Sequence, residues 1–245
     1  MKVTLTKIIE KPVEAIEAAA SNCYNSTPSA DGKIMKHCFK SGHQSVLEFA
    51  EFTFHIEGVS RALLAQITRH RISEFAVRSQ RYCSEDGFGY ITPHTVKANP
   101  TALTLYDNIM KYLQYNYSQL RELGIPNEDA RMILPNACET IMEVKMDGRA
   151  LMNFFNERLC RRAQWEIREL AQMMLKEIKE RDEQCALFAT LCGPKCERYG
   201  KDVGFCPESK SCGRHPRLVD IIYGFNQYKS WQEKISDNEP VEECK

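Results

Sequence analysis

Two kinds of hydrophobic periodicity divide this chain, and together they restrict its fold more than any other feature. Apolar and polar residues alternate in VTLTKIIE and EFTFHIEG, and less regularly in CETIMEVKM. A two-residue period is typical of strands, and Phe52, Phe54 and Ile56 would then share one face. The helical period covers more of the chain. The sequence therefore predicts an α+β fold with a small, mainly antiparallel sheet packed against long helices.

The helical stretches are bounded by residues that commonly begin or end helices. Proline stands at the start of the first and the fourth, and glycine follows the fourth. The predicted helices are 12–22, 31–40, 59–69, 100–123, 127–134, 147–159 and 161–189, the last running for about seven turns. Cysteine, glycine and proline become frequent after Leu191. We therefore expect a main domain over 1–191 and a cysteine-rich extension over 192–245.

Composition narrows the class of protein. The chain has 245 residues with 33 basic and 33 acidic side chains, so it lacks the basic excess of proteins that coat nucleic acid or anionic membranes. No stretch approaches the roughly 20 apolar residues of a membrane span, and the start does not resemble a signal peptide. We expect a cytoplasmic protein with neither nucleic acid nor membrane as its partner. Its eleven cysteines then indicate reduced thiols or a metal site.

One segment concentrates positive charge. RHRISEFAVRSQRY, residues 69–82, contains four arginines and one glutamate. Like charges at this density repel one another, so the cluster needs an anion. Guanidinium groups suit phosphate, and no glycine-rich phosphate loop or GxGxxG sequence is present, so side chains would hold a nucleotide. The alternative is a solvated face on which the arginines pair with acidic neighbours.

Three separate motifs point to a known family. Arg69-His70-Arg71 is followed after seven residues by Ser79 and then by Arg81-Tyr82. ARMILP lies at 130–135, and RALMNFFNERL with RAQWEIRELA lies within 149–171. In content, order and separation these motifs resemble the flavin-dependent thymidylate synthases. The similarity extends from about residue 42 to residue 171, with weaker support upstream.

The resemblance implies an activity, its cofactor and an assembly. Members of this family convert dUMP to dTMP by reductive methylation. Methylene-tetrahydrofolate supplies the carbon, and FAD reduced by NADPH supplies the hydride. The flavin also takes part in carbon transfer, and no enzyme cysteine adds to the pyrimidine ring. The resemblance further implies a homotetramer in which several subunits build each active site.

The resemblance also assigns roles to individual residues. Those expected to bind FAD are Ser45, Arg69, His70, Arg71, Arg149 and Asn153. Those expected to bind dUMP are Gln66, Arg69, Ser79, Gln80, Arg81, Arg131 and Arg158. Arg158 is also the expected catalytic residue. The ring NH of uracil stays protonated at neutral pH unless a fixed positive charge stabilises the anion, and a guanidinium provides that charge without losing its own proton.

Helical spacing adds detail to the later motif. Arg149 and Asn153 are four residues apart and would share a helix face, whereas Arg158 would point roughly 140° away from Asn153. Considered alone, Arg149 could instead be a surface ion-pair partner, and Asn153 could pair locally. Three positions depart from residues found in many or some family members: Val77, Asp147 and Arg162. These departures weaken single contacts only.

The cysteine-rich extension raises a separate question. Cys192, Cys196, Cys206 and Cys212 follow one another at intervals of four, ten and six. Four thiolates could bind zinc tetrahedrally, but the spacing lacks the CxxC pairs of common zinc ribbons. Reduced or redox-sensitive cysteines are the favoured alternative, so we predict no metal site.

Two other functions compete with the main one. The first is a related flavoenzyme that acts on another pyrimidine nucleotide, because phosphate and ring contacts would be nearly the same. The second is a nucleic-acid-binding module in which Phe75 and Tyr82 stack on bases. The neutral total charge and the two distant motifs argue against the second.

Overall fold

Four strands form one sheet in the computed structural model, which describes residues 1–197 and 204–223. They are β1 (Lys2–Ile8), β2 (Glu51–Ser60), β3 (Glu74–Val77) and β4 (Glu139–Asp147), in the spatial order β1-β2-β4-β3. β3 runs antiparallel to β4, with Glu74 opposite Lys145. The three strands expected from alternation are confirmed, and the fourth strand, β3, lies within the arginine-rich segment 69–82.

Alternation explains which face of the sheet is buried. Phe52, Phe54 and Ile56 of β2 are fully buried. Between them, His55 lies on the other face, where Nε2 is 2.9 Å from Oε1 of Glu57 and Nδ1 is 2.5 Å from Oε1 of Glu143 on β4. Hydrogen bonds to Glu57 and Glu143 raise the pKa of His55. One face of the sheet thus contributes to the core, and the other carries charged pairs.

Helices account for most of the remaining regular structure, which confirms the α+β prediction. They are α1 (Pro12–Tyr24), α2 (Lys33–Lys40), α3 (Arg61–Ile67), α4 (His94–Lys97), α5 (Pro100–Glu122), α6 (Asn127–Ala130), α7 (Gly148–Arg158), α8 (Trp165–Arg181), α9 (Glu183–Ala189) and α10 (Leu218–Tyr223). Short 3-10 turns lie at Gln44–Phe49, Arg131–Ile133 and Lys195–Glu197. The predicted helix 127–134 is thus α6 followed by a 3-10 turn.

Most predicted helices differ from the observed ones by one or two residues at an end, and two of the differences have a clear cause in side-chain caps. The helix expected over 59–69 starts only at Arg61, because the Ser60 hydroxyl accepts a hydrogen bond from the Leu63 N–H at 3.0 Å and caps α3. The helix expected over 161–189 is two helices. Asp182 is extended, with φ −166° and ψ 177°, and its side chain accepts from the Cys185 N–H at 2.8 Å to cap α9. The apolar period continues across this break, so periodicity alone does not reveal it.

The chain forms two compact units. The first comprises Met1–Lys7 and Thr53–Lys145, and the second comprises Ile8–Phe52 with the described chain from Met146 onward. Described residues on both sides of position 191 belong to the second unit, and the predicted division into 1–191 and 192–245 stays a prediction. Within 1–197 and 204–223, no helix combines the length and apolar character needed to cross a membrane.

Candidate functional site

In the first unit, the arginine cluster begins where α3 ends. The helix stops at Ile67, so Arg69 lies in the following turn and not on the helix with Gln66, although its N–H reaches the Gln66 carbonyl at 3.4 Å. His70 is half-buried, whereas Arg69 and Arg71 are exposed. Neither arginine forms an ion pair with any residue in the described ranges. Their guanidinium donors are therefore available to an anion, which fits the phosphates of a nucleotide or a flavin dinucleotide.

The second half of the motif forms a tight turn after β3. The Ser79 hydroxyl accepts from the Arg81 N–H at 3.3 Å, and the Ser79 carbonyl accepts from the Cys83 N–H at 2.9 Å. Gln80 is buried, and its amide nitrogen lies 3.7 Å from the sulfur of Cys138. Arg81 points outward. Arg81 is thus exposed on the outside of the turn, and the buried side chain of Gln80 holds the turn against Cys138.

Glu128 connects two arginines that the sequence assigned to one ligand. Its Oε2 accepts from Nε of Arg81 at 3.1 Å and lies 3.0 Å from Nη2 of the same residue. Its backbone carbonyl accepts from Nε of Arg131 at 3.1 Å. The structure therefore brings Arg81 and Arg131 together around α6. Sequence reasoning missed Glu128, because its separation of 47 residues from Arg81 gives no local signal.

A buried carboxylate holds the base of the same turn. Nε of Arg78 donates to Oε1 of Glu85 at 3.2 Å, and Nη2 donates to the Ser84 carbonyl at 3.0 Å. The Glu85 N–H donates to the hydroxyl of Tyr117, which is fully buried. Residues 78–85 are closed into a loop by these contacts. Glu85 is thus a supporting residue that the charge pattern did not reveal.

Replacing Glu85 by alanine should loosen this loop. The change removes a charge-assisted hydrogen bond and leaves Arg78 without its carboxylate, so we expect a loss of about 1.5–3 kcal/mol in the free energy of unfolding. Binding of dUMP should weaken as well, because Ser79, Gln80 and Arg81 lie on the loop. Denaturant unfolding and isothermal titration with dUMP measure the two effects. Glu122→Ala, which removes an exposed carboxylate from α5, should change neither, and equal behaviour of both variants would refute the role of Glu85.

The second unit holds the remaining predicted site residues. Ser45 is exposed in the 3-10 turn Gln44–Phe49. Arg149, in the first turn of α7, donates from Nη1 to Oε1 of Glu48 in that turn at 2.7 Å. This is the ion pair that the sequence left open as an alternative. Asn153 is exposed on α7, and Arg158 is half-buried in its last turn.

Close packing fixes the start of α7. Oδ1 of Asp147 accepts from the Ala150 N–H at 2.7 Å and caps the helix, and burial raises the pKa of its carboxyl group. The Gly148 N–H donates to the Ala50 carbonyl at 2.7 Å. A Cβ on Gly148 would lie 2.6 Å from the Leu47 carbonyl oxygen. Asp147, which departs from the family pattern, therefore serves as the helix cap.

The cysteines that lie together in the structure are not the four that follow one another in the extension. Cys196, Cys206 and Cys212 line one cavity, and Cys160 joins them there. Cys192 does not line that cavity, and its sulfur lies 3.9 Å from the Phe188 carbonyl. The four cysteines considered from their spacing as zinc ligands therefore do not line one cavity together. Within residues 1–197 and 204–223, no three His, Cys, Asp or Glu side chains are grouped to hold a metal ion, and the ten described cysteines are free.

Thiol reactivity should follow burial. Burial raises the pKa of Cys196 to about 11, whereas Cys23 on α1 is exposed. The thiolate is the form that alkylates, and only about one in a thousand Cys196 thiols is ionised at pH 8. We expect iodoacetamide at pH 8 to label Cys23 at least tenfold faster than Cys196, as measured by peptide mass spectrometry. Equal labelling rates in the folded protein would contradict this account, and guanidinium-unfolded protein serves as the control.

Comparisons with known proteins agree with one another. The family model described as thymidylate synthase complementing protein, Thy1, matches residues 4–182. The flavin-dependent thymidylate synthase of Nitratidesulfovibrio vulgaris is 37% identical over 240 residues, which cover 88% of this chain and 95% of the relative. That of Geobacter sulfurreducens is 39% identical over 227 residues, covering 87% and 94%.

A solved structure shares the fold. The flavin-dependent thymidylate synthase of Helicobacter pylori, crystallised with FAD and dUMP, aligns with a TM-score of 0.63 at 24% identity. The alignment covers 78% of this chain and all of that one. The family model spans well over half of the chain, and curated relatives exceed 35% identity over most of it. This chain therefore belongs to the flavin-dependent thymidylate synthase family.

Proposed function

We propose that this protein converts dUMP to dTMP, with methylene-tetrahydrofolate as the carbon donor and NADPH-reduced FAD as the source of hydride. The observation that carries the proposal is the exposed arginine pair Arg69 and Arg71, which lies in the family motif and has no acidic partner in the described ranges. Two guanidinium groups this close repel one another, and a bound anion would relieve that repulsion. Membership of the family supports dUMP and FAD as the anions.

The resemblance to the family divides the proposed residues between the two ligands, with Arg69 in both sets. FAD contacts are proposed for six residues: Arg69, His70, Arg71, Ser45, Arg149 and Asn153. Bound FAD supplies the hydride and accepts electrons from NADPH. The exposed guanidinium groups suit the pyrophosphate of FAD, and Arg149 would exchange its pairing with Glu48 for a flavin contact.

The proposed dUMP contacts centre on the turn after β3. Ser79 and Arg81 offer a hydroxyl and a guanidinium to the phosphate, and Arg131 lies beside Arg81 through Glu128. The buried amide of Gln80 fixes the turn from inside, so its contact with dUMP would run through the backbone. Gln66 near the end of α3 and Arg69 in the turn that follows belong to the same proposed set. A phosphate would compete with Glu128 for Arg81, because both are anions.

Arg158 is proposed to act on the pyrimidine ring. It lies half-buried in the last turn of α7, where solvent screening of its charge is reduced. A guanidinium beside the uracil ring favours the ionised, enolate-like form and makes the ring carbon more nucleophilic. Arg158 keeps its own proton throughout, so its contribution is electrostatic.

A homotetramer with shared active sites belongs to the same proposal. Large apolar side chains are exposed on α5, namely Leu105, Ile109, Tyr112 and Tyr115. Leu105, Ile109 and Tyr112 follow the helical period, and a contiguous apolar patch of this kind commonly marks a protein interface. Light scattering should give a tetramer for the natural chain and smaller species for the double variant Ile109→Glu, Tyr112→Glu. A monomeric natural chain at working concentration would contradict the shared sites.

The activity can be tested by its proton chemistry. Purified protein should show a flavin absorption spectrum and release tritium from dUMP labelled at the ring carbon that becomes methylated. Parallel reactions with UMP and dCMP test whether another pyrimidine nucleotide is the substrate, and faster turnover of either would overturn the choice of dUMP. A colourless protein that stays inactive after addition of FAD, yet binds oligonucleotides in a salt-dependent manner, would favour the nucleic-acid module.

A further inference from the structure

A chain of ion pairs joins the last turn of α7 to two residues of the cysteine-rich extension, Lys195 and Glu208. Nζ of Lys195 lies 3.2 Å from Oε2 of Glu157, which directly precedes Arg158. The same ammonium group pairs with Oε1 of Glu208. Lys195 thus joins the end of α7 to a residue beyond position 204. This lysine lies outside every role assigned above.

A second connection holds the chain just after the helix. Nη1 of Arg162 donates to the Lys210 carbonyl at 2.9 Å and lies 3.6 Å from Oε2 of Glu208. Cys160, which lies between Glu157 and Arg162 in the sequence, lines a cavity together with residues of the cysteine-rich extension. Arg158 therefore lies between two residues, Glu157 and Arg162, whose side chains contact residues of the cysteine-rich extension. Glu208 takes part in both connections.

Lys195 stays charged at neutral pH, so it can pair with Glu157 and Glu208 at the same time. Burial lowers the pKa of its ammonium group, but hydrogen bonds to Glu208 and Glu157 outweigh that effect and raise the pKa overall. The side chain of Lys195 is 27% exposed and that of Glu157 is 53% exposed. Partly exposed ion pairs contribute little to global stability. Their effect should therefore be local and confined to the end of α7.

We propose that Lys195 is a positioning residue for Arg158: by joining Glu157 to Glu208, it fixes the last turn of α7 in the orientation that the reaction requires. The inference rests on the proposed function of Arg158. A charge that stabilises a developing anion must be correctly placed beforehand, and a misplacement of about 1 Å can reduce a rate by as much as ~100-fold. Lys195 would act through Arg158 and not through a contact of its own with the substrate.

The test compares three variants of the full-length protein. Lys195→Met removes the charge but keeps most of the side chain, and Lys195→Arg restores it. Lys176→Met is the matched control, because Lys176 forms an exposed ion pair with Glu180 on α8. We expect Lys195→Met to lower kcat for tritium release about tenfold with little change in KM for dUMP or in Tm. Lys195→Arg should recover most of the rate, and Lys176→Met should match the natural protein.

Hydrogen exchange gives a readout that does not depend on activity. Backbone amides of residues 155–160 should exchange faster in Lys195→Met than in the natural protein, while α8 is unchanged. Unchanged exchange at 155–160 would overturn the inference, as would an unchanged kcat or a fall in kcat that simply follows a lower Tm. If the natural protein released no tritium, the proposed function would fail, whereas faster exchange would still show that Lys195 holds the helix end.

Discussion

Replacing Arg158 by alanine should lower kcat by about 10²- to 10³-fold, the loss seen when one preorganised stabiliser of a developing oxyanion is removed. The effect follows from the position of Arg158, which is half-buried in the last turn of α7. Tritium release from labelled dUMP measures the chemical step, and titration with dUMP measures ground-state binding. We expect affinity to fall much less than kcat, because the charge acts mainly on the ionised ring.

Arg161→Ala is the control for this experiment. Arg161 is an exposed arginine three residues along the chain, and its removal changes the net charge of the protein by the same amount. It should leave kcat within about twofold of the natural value, since its charge is screened by solvent. Equal losses in the two variants would show that total charge, and not a specific contact of Arg158, supports the reaction.

Replacing Gly148 by alanine should destabilise the second unit. The new Cβ would lie 2.6 Å from the Leu47 carbonyl oxygen and 3.1 Å from the Phe188 ring, so backbone or ring must move. Overpacking of this kind costs about 1–3 kcal/mol. We expect Tm to fall by roughly 5 °C in a thermal unfolding scan. The start of α7 would shift with it, so the Arg149 to Glu48 ion pair should weaken too.

Gly193→Ala provides the matched glycine substitution. A Cβ there would meet only the Glu197 side chain, at 3.7 Å, which is an ordinary contact. Tm of this variant should stay within about 1 °C of the natural value, because the change neither overpacks the core nor removes a hydrogen bond. If Gly148→Ala were equally harmless, α7 could shift without cost, and the rigidity assumed for Arg158 would be lost.

Elements with strong periodicity could be predicted from the sequence, and those ended by a single cap could not. Alternation gave β2 and β4, and Pro100 with the following period gave α5 almost to the residue. Asp182 looks like any other polar residue within an amphipathic helix, so the break before α9 was missed. Similarly, Ser60 is the last residue of β2 and caps α3, so α3 begins two residues later than predicted. Both errors come from side-chain capping, which an apolar period does not report.

At the candidate site, too, some residues could be predicted from the sequence and others could not. The basic residues formed motifs and could be found, but their acidic partners lie far along the chain and carry no motif. Glu48 and Arg149 are 101 residues apart, and Glu128 and Arg81 are 47 apart. Cys160 likewise joins cysteines that begin 36 positions later. Such pairings depend on tertiary structure, so the basic residues of the site could be inferred from the sequence but their acidic partners could not.

The central claim is that this chain makes dTMP from dUMP, and labelled carbon tests it most directly. Purified protein with FAD, NADPH, dUMP and methylene-tetrahydrofolate labelled with ¹³C in the transferred carbon would be analysed by mass spectrometry of the nucleotides. The account predicts dTMP heavier by the labelled carbon, formed only when all components are present and nearly absent with Arg158→Ala. Unchanged dUMP after incubation with flavin-loaded natural protein would contradict it.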